Sequence, residues 1–180
     1  MAIAVIWSSP NEDGLTAAAK NNVIEGIRQA GKEAEEIWLN RLNLQGCLPC
    51  GDGWGNCREQ GVCILKDDFQ ATYQKLVQAE SLAWITPVYW HDVSENLKRL
   101  LDRLRRCETK HNHFLEQKKC LLAACAGGSG LGAIECLHNM EETIRHMKMT
   151  AVDRIPVNQF NRSYMLPALK QAGLAFAQLK

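Results

Sequence analysis

The sequence predicts an α/β protein: a doubly wound, three-layer α/β/α sandwich around a five-stranded parallel sheet of order 2-1-3-4-5, in a single domain over residues 1–180. Three observations predict it. Short apolar runs alternate with amphipathic helical stretches, five times in succession and without a repeat or linker. Successive βα units of this kind make a parallel sheet covered on both faces, wound by right-handed crossovers. Finally, the loops richest in Gly, Pro and aromatic residues follow the first, third and fourth strands. In that order these strands are neighbours around the switch point, where open α/β sheets bind ligands.

Each element has its own justification. Ala2–Trp7 is uniformly apolar and reads as a buried strand; it has neither the basic leader nor the cleavage site of a signal peptide. Leu15–Ala30 places Ala19, Val23, Ile27 and Ala30 on one helical face, and Gly31 ends it. Glu33–Leu39 is the second strand. Leu42–Lys66 is a long loop with four cysteines, and Asp67–Ala79 is a helix that Asp67 or Asp68 would cap. Leu82–Thr86 is the third strand. Val93–Arg106 follows as a helix with a stripe of Val93, Leu97, Leu100, Leu101 and Leu104. Lys119–Ala124 is a strand, Leu131–Met147 a helix, and Ala151–Val157 a less apolar strand whose Pro156 places it at a sheet edge. Ser163–Leu179 closes the chain as a helix through Leu166, Leu169, Gly173 and Phe176.

Composition narrows the function. A net charge of +1 gives no general attraction to nucleic acid or to an anionic membrane surface. No apolar run approaches a membrane span. Eight cysteines without an export signal indicate a reducing, cytoplasmic setting, where thiols, metal sites or redox chemistry outrank structural disulfides.

The first loop, Ser8-Ser9-Pro10-Asn11-Glu12-Asp13-Gly14-Leu15-Thr16, opens onto a helix N-terminus, whose unpaired N–H groups and dipole suit a phosphate. Ser9 and Thr16 add hydroxyls. Neither the dinucleotide glycine fingerprint nor the Walker lysine is present, so a mononucleotide phosphate fits best. Read alone, an ordinary capped turn is the preferred explanation. The third loop, Pro87-Val88-Tyr89-Trp90, puts two aromatics beyond a strand end, and the fourth, Ala126–Gly132, carries Gly127 and Gly128. Three weak signals at one place make a stronger one.

With these residues assembled, the chain resembles the NAD(P)H-dependent FMN reductases of the flavodoxin-like superfamily over essentially its whole length. The motifs are SSPNEDGLT (Ser8–Thr16), CILKDDF (Cys63–Phe69), TPVYWHDVSENLKRLLDRL (Thr86–Leu104) and AGGSGLG (Ala126–Gly132). The resemblance implies that Ser9, Asn11, Gly14, Leu15 and Thr16 hold the FMN phosphate. Leu15 stands where the family often has Asn or Ser, so only its backbone can contribute. Pro87, Val88, Tyr89 and Trp90 would lie along the isoalloxazine and ribityl chain, and Gly127 and Gly128 near the pyrimidine edge. His91 and Ser94 stand beside this bed. The implied reaction passes hydride from NAD(P)H to flavin, then electrons to a small acceptor such as a quinone, an azo or nitro compound, or free flavin. It needs no essential acid–base side chain. Relatives often form homodimers or homotetramers that cover the flavin.

Cys47, Cys50, Cys57 and Cys63 fall close enough in sequence to ligate zinc or an iron–sulfur cluster. Some relatives, the iron–sulfur flavoproteins, carry a compact cysteine motif in this loop and act as electron carriers between proteins. Here Gly53 occupies the usual third position and Cys57 comes later, so no metal is expected and reduced thiols are preferred over a cluster. Cys107, Cys120, Cys125 and Cys136 read as small hydrophobes. Lys98, Arg99, Arg103, Arg105 and Arg106 read as the solvated back of their helix. His111 and His113 read as surface residues, Trp7 and Trp84 as core, and Trp54 and Trp90 as aromatics near the site.

Overall fold

The structure is a computed structural model describing residues 2–108 and 113–179. His111 lies outside these residues; His113 is exposed. Strands β1 (Ile3–Trp7), β2 (Ala34–Trp38), β3 (Leu82–Pro87), β4 (Lys119–Ala126) and β5 (Thr150–Asn158) form one sheet of order β2-β1-β3-β4-β5. All pairings are parallel, from Ile3 opposite Ala34 to Ala126 opposite Asn158. Helix α1 (Leu15–Gln29) follows β1. The cysteine loop contains a single short helix, α2 (Asn56–Glu59). The remaining helices are α3 (Phe69–Gln78), α4 (Glu95–Glu108), α5 (Ala133–Arg145) and α6 (Arg162–Ala177). None of the described helices is long and apolar enough to cross a membrane.

Successive strand residues point to opposite faces. Ala4, Ile6, Leu82, Trp84, Cys120 and Leu122 join the core beneath α3, α4 and α5, whereas Ile3, Val5, Trp7, Ala83, Ile85 and Leu121 join the core beneath α1 and α6. Helices α1 and α6 meet backbone to backbone. A Cβ on Gly26 would stand 2.0 Å from the Lys170 carbonyl oxygen, and one on Gly173 2.5 Å from that of Val23.

Three sequence expectations need correction. The helix expected to start at Asp67 starts at Phe69. Asp68 does occupy its N-cap position, as expected, but its side chain makes no cap bond: it accepts the Asn43 amide at 2.7 Å, while Asp67 accepts that of Phe69 at 3.2 Å. Arg103 is not on a solvated surface but 2% exposed. It pairs with Asp67 at 2.6 Å, stacks on Phe69 at 4.2 Å, and donates to the Gln45 carbonyl at 3.1 Å and the Cys63 thiol at 3.3 Å. Burying an arginine needs such partners, and they come from distant chain; its Nε alone is buried without one among the described residues. Trp54, expected near the site, instead lies against α4, with the Arg106 guanidinium 4.0 Å above its ring.

Candidate functional site

All eleven residues expected at the cofactor site line one cleft of about 590 Å³ at the carboxyl ends of β1, β3 and β4. Its volume is that of a small-molecule site. Pro10, Cys125, Ala126, Ser129 and Leu131, to which the sequence reading gave no contact, and His91, which it set beside the bed, complete the wall.

At one end, Gly14 starts α1 with no side-chain cap. The first helical backbone bond runs from the Ala18 amide to the Gly14 carbonyl, so the amides of Leu15, Thr16 and Ala17 have no partner among the described residues. They point out of the positive end of the helix dipole. Ser9, buried, accepts the Asn11 amide at 3.1 Å, which leaves its own hydroxyl hydrogen to donate. The Ser9 carbonyl is fixed by the Trp38 indole N–H at 3.0 Å, a contact between β2 and the loop that local pattern did not reveal. Trp38 stacks on Trp7 at 4.8 Å. Thr16 is buried beside Cys125, whose thiol burial pushes up to about 12 despite the threonine hydroxyl. No Lys or Arg lines the cleft among the described residues, so backbone N–H groups and hydroxyls are what it offers to an anion.

Under the middle of the cleft, three buried hydroxyls lock β1, β3 and the start of α4 together. Ser94 donates to Ser8 at 2.6 Å, Ser8 bonds Thr86 at 3.3 Å, and Thr86 accepts the Ser94 amide at 3.0 Å and donates to the Pro87 carbonyl at 2.9 Å. Ser94 thus braces the bed from below. Above it, Val88 donates to the Cys125 carbonyl at 3.0 Å. Tyr89 and Asp92 then exchange backbone bonds of 2.9 and 3.0 Å around Trp90 (φ +51°) and His91 (φ +66°). Two positive φ values in a two-residue turn are the type I′ geometry, which glycine and asparagine favour. Bulky residues there cost on the order of 1–3 kcal/mol each, and such strain clusters at ligand clamps. The β4–α5 loop buttresses the turn: Gly132 (φ +83°) packs so closely that a Cβ there would crowd His91 at 3.0 Å.

At the other end, the Gly127 carbonyl accepts the Gly130 amide at 2.8 Å in a tight turn, and Gln159 holds the Gly128 carbonyl. The Gly127 and Gly128 amides have no partner among the described residues and face the cleft as donors. Unpaired amides at both ends, with the Pro87–Trp90 segment between, suit a planar ring system carrying an anionic tail. FMN fits this arrangement.

The four loop cysteines converge elsewhere, on a pocket of about 20 Å³ between their loop and α4. Cys107, read as a small hydrophobe, joins them there beside Arg103 and Arg106. Burial, with the neighbouring Cys63 and Cys57, pushes the Cys107 thiol up to about 12; burial also raises Cys47, against the pull of Arg106. The pocket has room for about one water. Among the described residues no three His, Cys, Asp or Glu side chains are arranged to hold a metal ion. A cluster does not fit the loop in this conformation.

Comparison with known proteins bears on family and fold. The NADPH-dependent FMN reductase family matches residues 1–161. The chain is 28% identical to an iron–sulfur flavoprotein of Methanosarcina thermophila, over 75% of this chain and 68% of that one. It is 32% identical to an iron–sulfur flavoprotein of Methanocaldococcus jannaschii, over 58% of this chain and 52% of that one. The matched region therefore spans between about half and two thirds of these curated relatives. In fold, the chain superposes on an NAD(P)H:quinone oxidoreductase from Methanothermobacter marburgensis with a TM-score of 0.75 at 18% identity, covering 100% of this chain and 98% of the other. With the sheet order, the uncapped α1 terminus and a family match over 161 residues in agreement, the chain belongs to the NADPH-dependent FMN reductase family, whose members are flavin-dependent oxidoreductases.

Proposed function

We propose that this protein binds FMN in the cleft and uses NAD(P)H to reduce a small electron acceptor: a quinone, an azo or nitro compound, or free flavin. The convergence of three separate loops on one cleft carries the reading. Ser9, Asn11 and Thr16, with the Gly14–Leu15 backbone, would hold the phosphate. Pro87, Val88 and Tyr89 would support the ring, with Trp90 at its mouth, and the Gly127 and Gly128 amides would donate to its pyrimidine edge. Bound FMN would supply hydride and electron transfer. The chain's own part is to orient the ring, to favour negative charge at its edge through backbone donors, and to keep water from its inner face. The strained turn, the hydroxyl lock and the α1 terminus are each fixed by contacts within the chain, which limits the reorganisation that binding would require.

The reading includes a cytoplasmic homodimer or homotetramer. Eight free thiols suit a reducing compartment. Leu131, which lines the cleft, Phe160, which packs beside Gly130, and Ile134 and Tyr164 are exposed apolar side chains that a second copy would cover. The test is the absorbance spectrum after loading with excess FMN and gel filtration, then after anaerobic NAD(P)H. Retained flavin bands that bleach with NAD(P)H and recover on adding a quinone support the proposal; loss of flavin on the column refutes it.

A second reading, an iron–sulfur flavoprotein carrying electrons between proteins, rests on the gathering of Cys47, Cys50, Cys57 and Cys63 around one pocket. It requires the loop to open beyond its present geometry. Iron and sulfide at cluster stoichiometry in anaerobically purified protein would establish it over the first.

A further inference from the structure

The β1–α1 loop is tied to the rest of the fold at few points. The Ser8 amide donates to the Ile85 carbonyl at 3.1 Å, and α1 takes over after Gly14. Between these anchors, among the described residues, the loop hydrogen-bonds to other elements at two positions. The Ser9 carbonyl accepts the Trp38 indole N–H at 3.0 Å, and Glu12 pairs with Arg41 at 3.4 Å. Both partners come from one short stretch, the end of β2 and the 3-10 turn (Leu39–Arg41) that follows it. The Arg41–Glu12 pair is exposed on both sides and contributes little by itself. The indole is the principal tether, and its ring is firmly held. Trp38 stacks on Trp7 at 4.8 Å with an interplanar angle of 14°, and Trp7, buried, donates its own indole N–H to Glu36 at 2.8 Å. Lys20 lies 4.9 Å from the Trp7 ring centre and pairs with Glu36 at 3.0 Å, while the Arg41 guanidinium lies 4.2 Å over Trp38. Stacking and cation contacts of this kind restrict the ring and so aim its N–H.

We infer that Trp38 is a positioning residue for the cofactor phosphate: its indole N–H ties the Ser9 carbonyl to β2 and so keeps the Ser9 hydroxyl in place beside the α1 amides. The inference rests on the FMN-binding reading. Pro10 follows Ser9 and has no amide hydrogen, so the carbonyl is the one backbone group through which the Ser9–Pro10 peptide can be hydrogen-bonded. Left without a donor, that oxygen would be free to turn its negative end toward an anion in the cleft. No Lys or Arg lines the cleft among the described residues, so the alignment of neutral donors decides how well a phosphate is held. Holding the loop in one conformation lowers the ordering cost of binding.

Trp38→Phe is the informative variant, because it removes the N–H and keeps an aromatic ring in the stack. Trp38 is only half-buried, so the fold is retained, and urea unfolding verifies this. Trp7→Phe is the control: it removes the other indole N–H of the same stack, whose partner is Glu36 rather than the loop. FMN and riboflavin, which carries the ring without the phosphate, are titrated by flavin fluorescence into wild-type protein and both variants. In Trp38→Phe the FMN affinity should fall about three- to tenfold, the scale of one net hydrogen bond, while riboflavin affinity changes by less than about twofold. Trp7→Phe should keep the wild-type ratio of the two affinities, whatever it costs in stability. An unchanged ratio in Trp38→Phe overturns the inference. An equal shift of the ratio in both variants also overturns it, because the stack would then be a structural support alone. If wild-type protein binds neither flavin, or binds both equally, the underlying reading of the phosphate end has failed instead, which the titration shows before any variant is made.

Discussion

Replacing Arg103 with methionine should be among the most damaging single changes in this protein. Arg103 and Asp67 are essentially inaccessible, with side-chain exposures of 1% and 0%. Their pair is bidentate, at 2.6 and 2.9 Å, and Arg103 also holds the Gln45 carbonyl and the Cys63 thiol at the two ends of the cysteine loop. Methionine fills much of the volume but leaves the Asp67 carboxylate buried with only the Gln45 and Phe69 amides. Breaking a buried pair in this way costs about 3–5 kcal/mol. At a urea slope of about 2 kcal/mol per molar, the unfolding midpoint should drop by roughly 1.5–2.5 M. Adding Asp67→Asn removes the stranded charge while keeping an acceptor for one of the two amides, and should restore roughly 1–3 kcal/mol. The pH dependence follows from the same pair. Burial raises the Asp67 carboxyl, but the Arg103 hydrogen bond and the two amides outweigh it and hold the group below its ordinary range. A depressed folded value means that the linked stability is fully present above the unfolded value of about 3.9 and is lost as pH falls through the folded one. Asp67→Asn should therefore flatten the acid limb of the stability profile and leave it unchanged in shape near neutrality. An Arg103→Met cost below about 1 kcal/mol, or no recovery in the double variant, would refute the account.

Gly173→Ala places a Cβ against the Val23 carbonyl and should cost about 1–3 kcal/mol, a fall of roughly 2–12 °C in Tm by calorimetry; an unchanged Tm would mean that α1 and α6 separate freely. Replacing Ser9 with Ala and Thr16 with Val should weaken FMN binding by about ten- to a hundredfold while barely affecting riboflavin, which lacks the phosphate. Fluorescence titration of both ligands checks this, and equal losses would move these hydroxyls away from the phosphate. Tyr89→Ala should weaken FMN and riboflavin alike, by about tenfold, in the same titration.

Much of the architecture was legible locally. Short apolar runs and period-3.6 patterns located every strand and nearly every helix to within a few residues, because a central parallel strand is buried on both faces and a covering helix on one. The short α2 escaped, being only a four-residue helix inside an irregular loop. The cleft was also legible, since its loops carry the glycine, hydroxyl and aromatic residues that close approach to a flat anionic ligand requires. The partners of individual side chains were not. Arg103 and Asp67 lie 36 positions apart, and Trp38 and Ser9 29. On the charge pattern of its own helix, Arg103 looks like any surface arginine. Cys107 has the same ambiguity: its helix turns it inward, but only the packing of the cysteine loop against α4 makes that interior a pocket of thiols. The left-handed turn at Trp90 and His91 was hidden because neither residue favours it; the surrounding hydrogen bonds and Gly132 impose it. By itself, then, the sequence determined the sheet, its order and which loops line the cleft, because burial patterns and loop chemistry are local. Which charges are buried, which thiols meet and which aromatic is displayed were decided only by tertiary packing, because those depend on contacts between segments that share no local signal.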